Sequence, residues 1–274
     1  MENNFEETPI QELPIRRFYF SVTLMLSQMQ HNKRGQELFS GLYTCINSYH
    51  DESLALLRAT TKLFKTSLEQ EQKFKTSYLK ERSEIDKLLI DEDDEEKKEH
   101  LKIIVSRNLE AKRHFYENLD LEQNVFSLGT IVQFLSSFES TLHSFYKKII
   151  EIDTHLPKIE DVCKRDKGII KYLKYFEKAL TTNPNSVLIG TPDFQKVHQW
   201  IDFRNNIVHN NNLSTEELKN VINQRKLSIR YRRGKFIFNE SNIRDIADIC
   251  GVTLDKLVEE VLRPYFKQSG ALVE

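Results

Sequence analysis

The stretch Leu121-Glu-Gln-Asn-Val-Phe-Ser-Leu-Gly-Thr-Ile-Val-Gln-Phe-Leu-Ser-Ser-Phe-Glu-Ser-Thr-Leu-His-Ser-Phe-Tyr-Lys-Lys-Ile-Ile-Glu-Ile152 decides the fold. Val125, Leu128, Val132, Leu135, Phe138, Leu142, Phe145, Tyr146 and Ile149 recur every three or four positions, the spacing of a helix with a broad apolar face. One partner cannot cover such a face, so the stretch predicts the first helix of a globular bundle. Downstream segments read as its partners. A second helix is expected over about residues 167–181, followed by turn signals at 183–186 and 190–192. A third runs from Pro192 to about Asn211 and should bury Phe194, Val197, Trp200 or Ile201, Phe203, Ile207 and Val208. Ser214-Thr215-Glu216-Glu217 is a capped, acidic helix start. The alternation Leu227-Ser-Ile-Arg-Tyr-Arg232, a turn at Arg233-Gly234 and the return Lys235-Phe-Ile-Phe238 predict a two-stranded hairpin. The end reads as a helix over 242–250 stopped by Gly251, then another opened by Thr253.

Upstream, helical periodicity runs from Pro14 for more than a hundred residues, with soft points only at 32–35 and 47–51. Between 51 and 90 the apolar residues Leu57, Phe64, Leu68, Phe74, Tyr78, Ile85 and Leu89 form a narrow stripe that needs a partner helix. The acidic run Asp91 to Glu96 can make a bend, after which Leu101, Ile104, Leu109 and Phe115 return. Both an intramolecular hairpin and a coiled-coil dimerisation or sensor arm fit this pattern. Composition shifts near Asp120. The expected architecture is therefore all-α, with a helical arm over 1–120 and a bundle with a small β-hairpin over 121–274.

Composition removes several classes. With 8 Gly and 6 Pro in 274 residues there are too few turns for a sandwich or barrel. Forty Lys and Arg against 41 Asp and Glu leave a net charge of −1, so any nucleic-acid site must be a local patch. Cys45, Cys163 and Cys250 form no C-x-x-C pair, which argues against a disulfide framework and fits a reducing cytoplasm. The apolar stretch Phe18 to Met29 is short, interrupted by polar residues and preceded by acids, so neither a signal peptide nor a membrane span is expected. No ligand-spaced His, Asp-rich loop or Gly-rich phosphate loop is present, and no metal or cofactor is expected.

The most unusual chemistry lies in Trp200-Ile-Asp-Phe-Arg-Asn-Asn-Ile-Val-His-Asn-Asn-Asn212. On a helix, Asn205 and His209 share a face, so the amide can bond one imidazole nitrogen and fix its tautomer. Arg204 lies about 140° away from His209 around the same helix. A guanidinium beside an imidazole suits phosphodiester chemistry: His moves protons and Arg steadies negative charge. A solvated C-terminal turn with Asn caps is the plainer alternative.

Arg204-Asn205-Asn206-Ile207-Val208-His209 resembles the R-x4-6-H signature of HEPN domains, and Phe138 to Tyr146 is similar to their first long helix, where a carboxylate projects towards the motif. The resemblance covers about 121–266. It implies a metal-independent endoribonuclease acting as a homodimer, with two motifs meeting in one cleft, of the kind found in toxin–antitoxin, abortive-infection and other anti-phage systems. Under it His209 acts as general base or acid, Arg204 stabilises the pentavalent phosphorane, and Asn205 orients His209 or contacts the phosphate. Attack by the 2'-hydroxyl implies 2',3'-cyclic phosphate ends and no action on DNA. An antitoxin or sensor protein is an implied partner. Members silenced by a nucleotidyltransferase carry a Tyr two residues after the His; Asn211 stands there, which sets aside AMPylation of the motif.

Glu139 either faces that cleft or lies at the surface beside His143, and Asp202 with His198 either extends the polar cleft in support of the motif or forms the solvated side of its helix. Arg225, Lys226, Arg230, Arg232, Arg233 and Lys235 put six bases in eleven residues without an acid, with Tyr231 for stacking: an RNA-binding contact, or a charged edge hairpin protected from aggregation. Two rival functions remain: a non-catalytic helical interaction module, and a nucleic-acid binder that uses this hairpin.

Overall fold

The computed structural model of the chain describes Met25 and residues 33–181 and 187–270. Two antiparallel helices carry the molecule: α1 is Lys33–Asp91 and α2 is Glu95–Ile152. At 1.5 Å per residue each is about 87 Å long. The acidic run makes the bend between them. The Asp94 carboxylate caps α2 by accepting from the N–H groups of Glu96 and Lys97, and Glu95 and Glu96 place negative charge at the positive end of the helix dipole. Beyond the bundle the two helices pair along a narrow seam. Phe74 and Phe115 stack with ring centroids 4.0 Å apart, and Lys112 Nζ lies 4.7 Å from the Tyr78 ring. The arm is an intramolecular hairpin.

The soft point at 47–51 lies inside α1, because Ile46, Tyr49 and Leu54 keep one face buried through it. Packing there outweighs the weak helix propensity of Asn47 and Ser48. The composition shift near Asp120 likewise falls inside α2, which passes through it unbroken. Leu38, Leu42, Ile46 and Tyr49 share one core with Phe134, Phe138, Leu142 and Phe145. The first part of the expected arm is thus a bundle helix, and the projecting arm begins near Thr61, whose hydroxyl donates to Glu240 at 3.0 Å.

The bundle adds the single turn α3 (Ile159–Val162), α4 (Gly168–Leu180), α5 (Pro192–His209) and α6 (Glu216–Arg225). The hairpin follows as β1 (Arg230–Arg232) and β2 (Lys235–Ile237), in antiparallel register with Tyr231 opposite Phe236. Its turn takes φ 49° at Arg233 and 74° at Gly234, the left-handed pair that two-residue hairpins favour. Then α7 (Glu240–Lys256) opens on an Asn239–Asn242 capping box and continues through a π-helical turn, Leu257–Leu262, into α8 (Arg263–Gln268).

Gly251 does not stop this helix. It is buried, and Leu254, Leu257 and Val258 extend the apolar face beyond it, which offsets the roughly 1 kcal/mol that a mid-helix glycine costs. Nor does Thr253 open a new helix; its hydroxyl donates to the Ile249 carbonyl within α7. Leu121 and Val125 are exposed rather than buried, because Asp120 and Asn124 face the hairpin and the next residue turns 100° away. Val208, the residue after half-buried Ile207, is exposed for the same reason. Residues 14–24, the stretch Phe18 to Met29 apart from Met25, and the turn at 183–186 lie outside the described residues. Among the described residues no helix is long and apolar enough to cross a membrane.

Candidate functional site at the end of α5

The motif helix is anchored at both ends. Thr191 Oγ1 accepts from the Phe194 N–H, Pro192 occupies the first turn, and Asp193 pairs with Lys256 at 2.6 Å. That ion pair holds the Asp193 carboxyl below its ordinary value. Val197, Trp200, Phe203 and Asn206 make the buried face. Trp200, 1% exposed, donates its indole N–H to Asp245 at 2.8 Å, and Arg225 reaches the same carboxylate oxygen at 2.5 Å. This shared acceptor ties α5, α6 and α7 together.

Arg204 is half-buried, and its guanidinium donates to Asn205 Oδ1 at 3.1 Å. Asn205 therefore braces the Arg, not the His that the helical spacing put on its face. His209 is the last residue of α5, is exposed, and forms no hydrogen bond or ion pair with the described residues.

The other asparagines build the Asn-capped turn that was the plainer alternative, and they also bind the hairpin. Asn206 donates to the Leu213 carbonyl at 2.9 Å, and its own carbonyl accepts from the N–H groups of Asn210 and Asn212. Asn211 and Asn212 adopt left-handed φ of 51° and 59°, which Asn tolerates better than most residues. Buried Asn212 donates to the Phe236 carbonyl at 2.8 Å, Phe236 N–H returns to the Asn212 carbonyl, and Ser214 N–H reaches Gly234 at 2.7 Å. The Asn tract is a clasp that fixes the hairpin against the end of α5.

Three carboxylates pair with four of the six basic residues at 225–235. Arg232 pairs with Asp120 at 2.7 Å and Glu117 at 3.0 Å, Arg230 with Asp120 at 3.3 Å, and Arg233 with Glu117 at 3.3 Å. These acids are more than a hundred residues away in sequence. Arg225 is turned inward to Asp245, and Lys235 Nζ lies 3.5 Å from Asn211 Oδ1. Lys226 and Tyr231 are exposed.

Glu139 is not at this site. A Cβ on Gly168 would come within 3.4 Å of its carboxylate, so Glu139 sits at the start of α4. That is fifteen residues, about 22 Å along α2, from Asn124, which accepts from Phe238 N–H beside the hairpin. Burial first, and then the Glu139 charge, push the Tyr172 phenol above its ordinary value; that phenol contacts His143 Nδ1 at 2.7 Å. Asp202 meets His198 at 3.3 Å on the solvated side of α5.

No family model, curated protein or solved structure matches the chain.

Function must therefore be argued from the site. Among the described residues no group of three His, Cys, Asp or Glu side chains gathers where a metal ion could sit. The end of α5 offers one braced guanidinium, one exposed imidazole and a turn hydrogen-bonded to the hairpin, whose Tyr231 is exposed. A guanidinium and an imidazole are the side-chain types that phosphodiester chemistry uses, the first for negative charge and the second for protons.

Proposed function

We propose that the chain is a metal-independent endoribonuclease of the HEPN type, working as a homodimer in an anti-phage or toxin–antitoxin setting. The observation that carries this reading is the division of labour at the end of α5. Asn206 and Asn212 build the turn, Asn205 holds Arg204, and His209 has no hydrogen-bond or ionic partner among the described residues. An imidazole free of the fold is available for proton transfer.

In the reaction, a base takes the ribose 2'-hydroxyl proton as O2' bonds to phosphorus. The bond from phosphorus to the 5'-oxygen breaks, and an acid protonates that oxygen. The products are a 2',3'-cyclic phosphate and a 5'-hydroxyl. Arg204 stabilises the charge on the non-bridging oxygens. One imidazole cannot serve both proton transfers in the same step, and Arg204 and His209 point about 140° apart on their helix. A second copy supplies the missing group.

Labelled RNA incubated with the protein in EDTA, beside the Arg204→Ala variant, tests this. Cleavage by wild type alone, with cyclic-phosphate ends and uncut DNA of the same sequence, is the expected result. No cleavage by wild type, with retained binding of another protein through the arm, would favour the interaction-module reading, for which the exposed apolar residues of the arm speak.

A further inference from the structure

The outer face of the arm carries a pattern that the hairpin seam does not use. Leu68, Leu79 and Ile90 of α1 are 51%, 56% and 81% exposed, although all three are large and apolar. They are spaced eleven residues apart, which is three turns plus about 20°, so they form one stripe along the helix. The stripe lies roughly 90° from the seam marked by Tyr78 and Ile85.

This stripe is a palindrome about Leu79. If two copies of α1 run antiparallel across a twofold axis at Leu79, each Leu68 meets Ile90 of the second copy, and the two Leu79 side chains meet each other. Gln72, on the same side of α1, falls opposite Asp86 of the second copy, and Lys65 falls opposite the bend just past the end of α1 that carries Asp93 of the second copy. Lys65 and Asp93 are both exposed.

Charge along the arm is also polarised. Residues 83–106, the tip, hold nine acids against four bases, a net −5. Residues 61–82 and 107–118, the shaft, hold nine bases against five acids, a net +4. Antiparallel pairing lays the acidic tip of each copy on the basic shaft of the other, whereas parallel pairing sets like against like. An interface in which the same patch serves both copies is the hallmark of a twofold dimer.

We infer that two copies of this chain pair through their arms, antiparallel and with the twofold axis at Leu79, into a four-helix assembly. The bundles then lie at opposite ends. Eighteen residues separate Leu79 from Thr61, where the arm leaves the bundle, so the bundles begin roughly 54 Å apart. Arm pairing and the meeting of two α5 motifs are therefore different interfaces, and one arm-paired dimer does not bring its own motifs into one cleft.

Disulfide trapping in the full-length protein reads out this register without reference to RNA cleavage. In a Cys45→Ser background, where the remaining cysteines Cys163 and Cys250 are buried, diamide is added to single and double cysteine variants. Leu79→Cys should give a covalent dimer. Leu68→Cys and Ile90→Cys should each stay uncrosslinked alone, and the double variant should crosslink. Sedimentation should show Lys65→Asp weakening the dimer and Lys65→Asp with Asp93→Lys restoring it. Crosslinking of Ile90→Cys alone as efficiently as Leu79→Cys would overturn the register. A wild-type protein that stays monomeric across a concentration series would overturn the pairing.

Discussion

Replacing Asn212 by Ala separates the structural part of the Asn tract from the chemical part. Two costs can be worked from the geometry. The Phe236 carbonyl loses a buried donor at 2.8 Å, and an unsatisfied buried acceptor costs about 1–3 kcal/mol. Alanine must also hold φ 59°, a left-handed conformation that costs about 1–2 kcal/mol. Against these, Asn212 Oδ1 is itself buried without a partner, and its removal returns part of the first cost. The net expectation is a loss of about 2–3 kcal/mol. Asn212→Gly removes the same amide but accepts the left-handed backbone, so it should recover roughly 1 kcal/mol of that loss. Urea unfolding followed by emission of Trp200, the single tryptophan, gives both values from the midpoint shift at constant slope. Equal midpoints for the Ala and Gly variants, or an Ala variant within about 0.5 kcal/mol of wild type, would refute the clasp.

Two further changes probe the elements that position α5. Asp245→Asn leaves Trp200 an acceptor but deprives Arg225, whose side chain is 12% exposed, of its counter-charge; with Asp245 itself 34% exposed, the loss should be about 2–3 kcal/mol, measured as a lower urea midpoint. Asp248 has its carboxyl pushed up to about 6, by burial first and by the neighbouring Asp245 charge second. A carboxyl raised in the folded state favours folding when protonated, and this contribution fades as pH rises from the unfolded value through about 6. Asp248→Asn should therefore raise Tm relative to wild type at pH 8 and lose that advantage near pH 4; the opposite trend across a pH series of melts would contradict the assignment.

Local signals in the sequence carried a large part of the fold. The acidic bend, the narrow Phe74–Phe115 seam, the limits of α4 and α5, and the alternating hairpin each depend on residues close in sequence. Long-range packing overrode local cues elsewhere, as where buried faces carried α1 past Asn47 and α7 past Gly251. The site divides in the same way. Helical spacing put Asn205 on the His209 face, but the adjacent Arg204 is a charged donor and captures the amide oxygen. The positive run at 225–235 left a phosphate contact and a charged edge both open, because Glu117, Asp120 and Asp245, which pair with four of its bases, lie elsewhere in the chain. The roles of Asn206 and Asn212 had one visible signal: three successive Asn residues directly after a helix, where left-handed backbone is common.

The most direct test of the division of labour at α5 is His209→Ala, assayed for RNA cleavage in EDTA and for thermal melting on the same preparation. Because His209 is exposed and bonds to none of the described residues, cleavage should disappear while Tm stays at the wild-type value. Cleavage that survives the substitution, or a melt that falls in step with lost activity, would show that His209 is not the proton-transfer group proposed here.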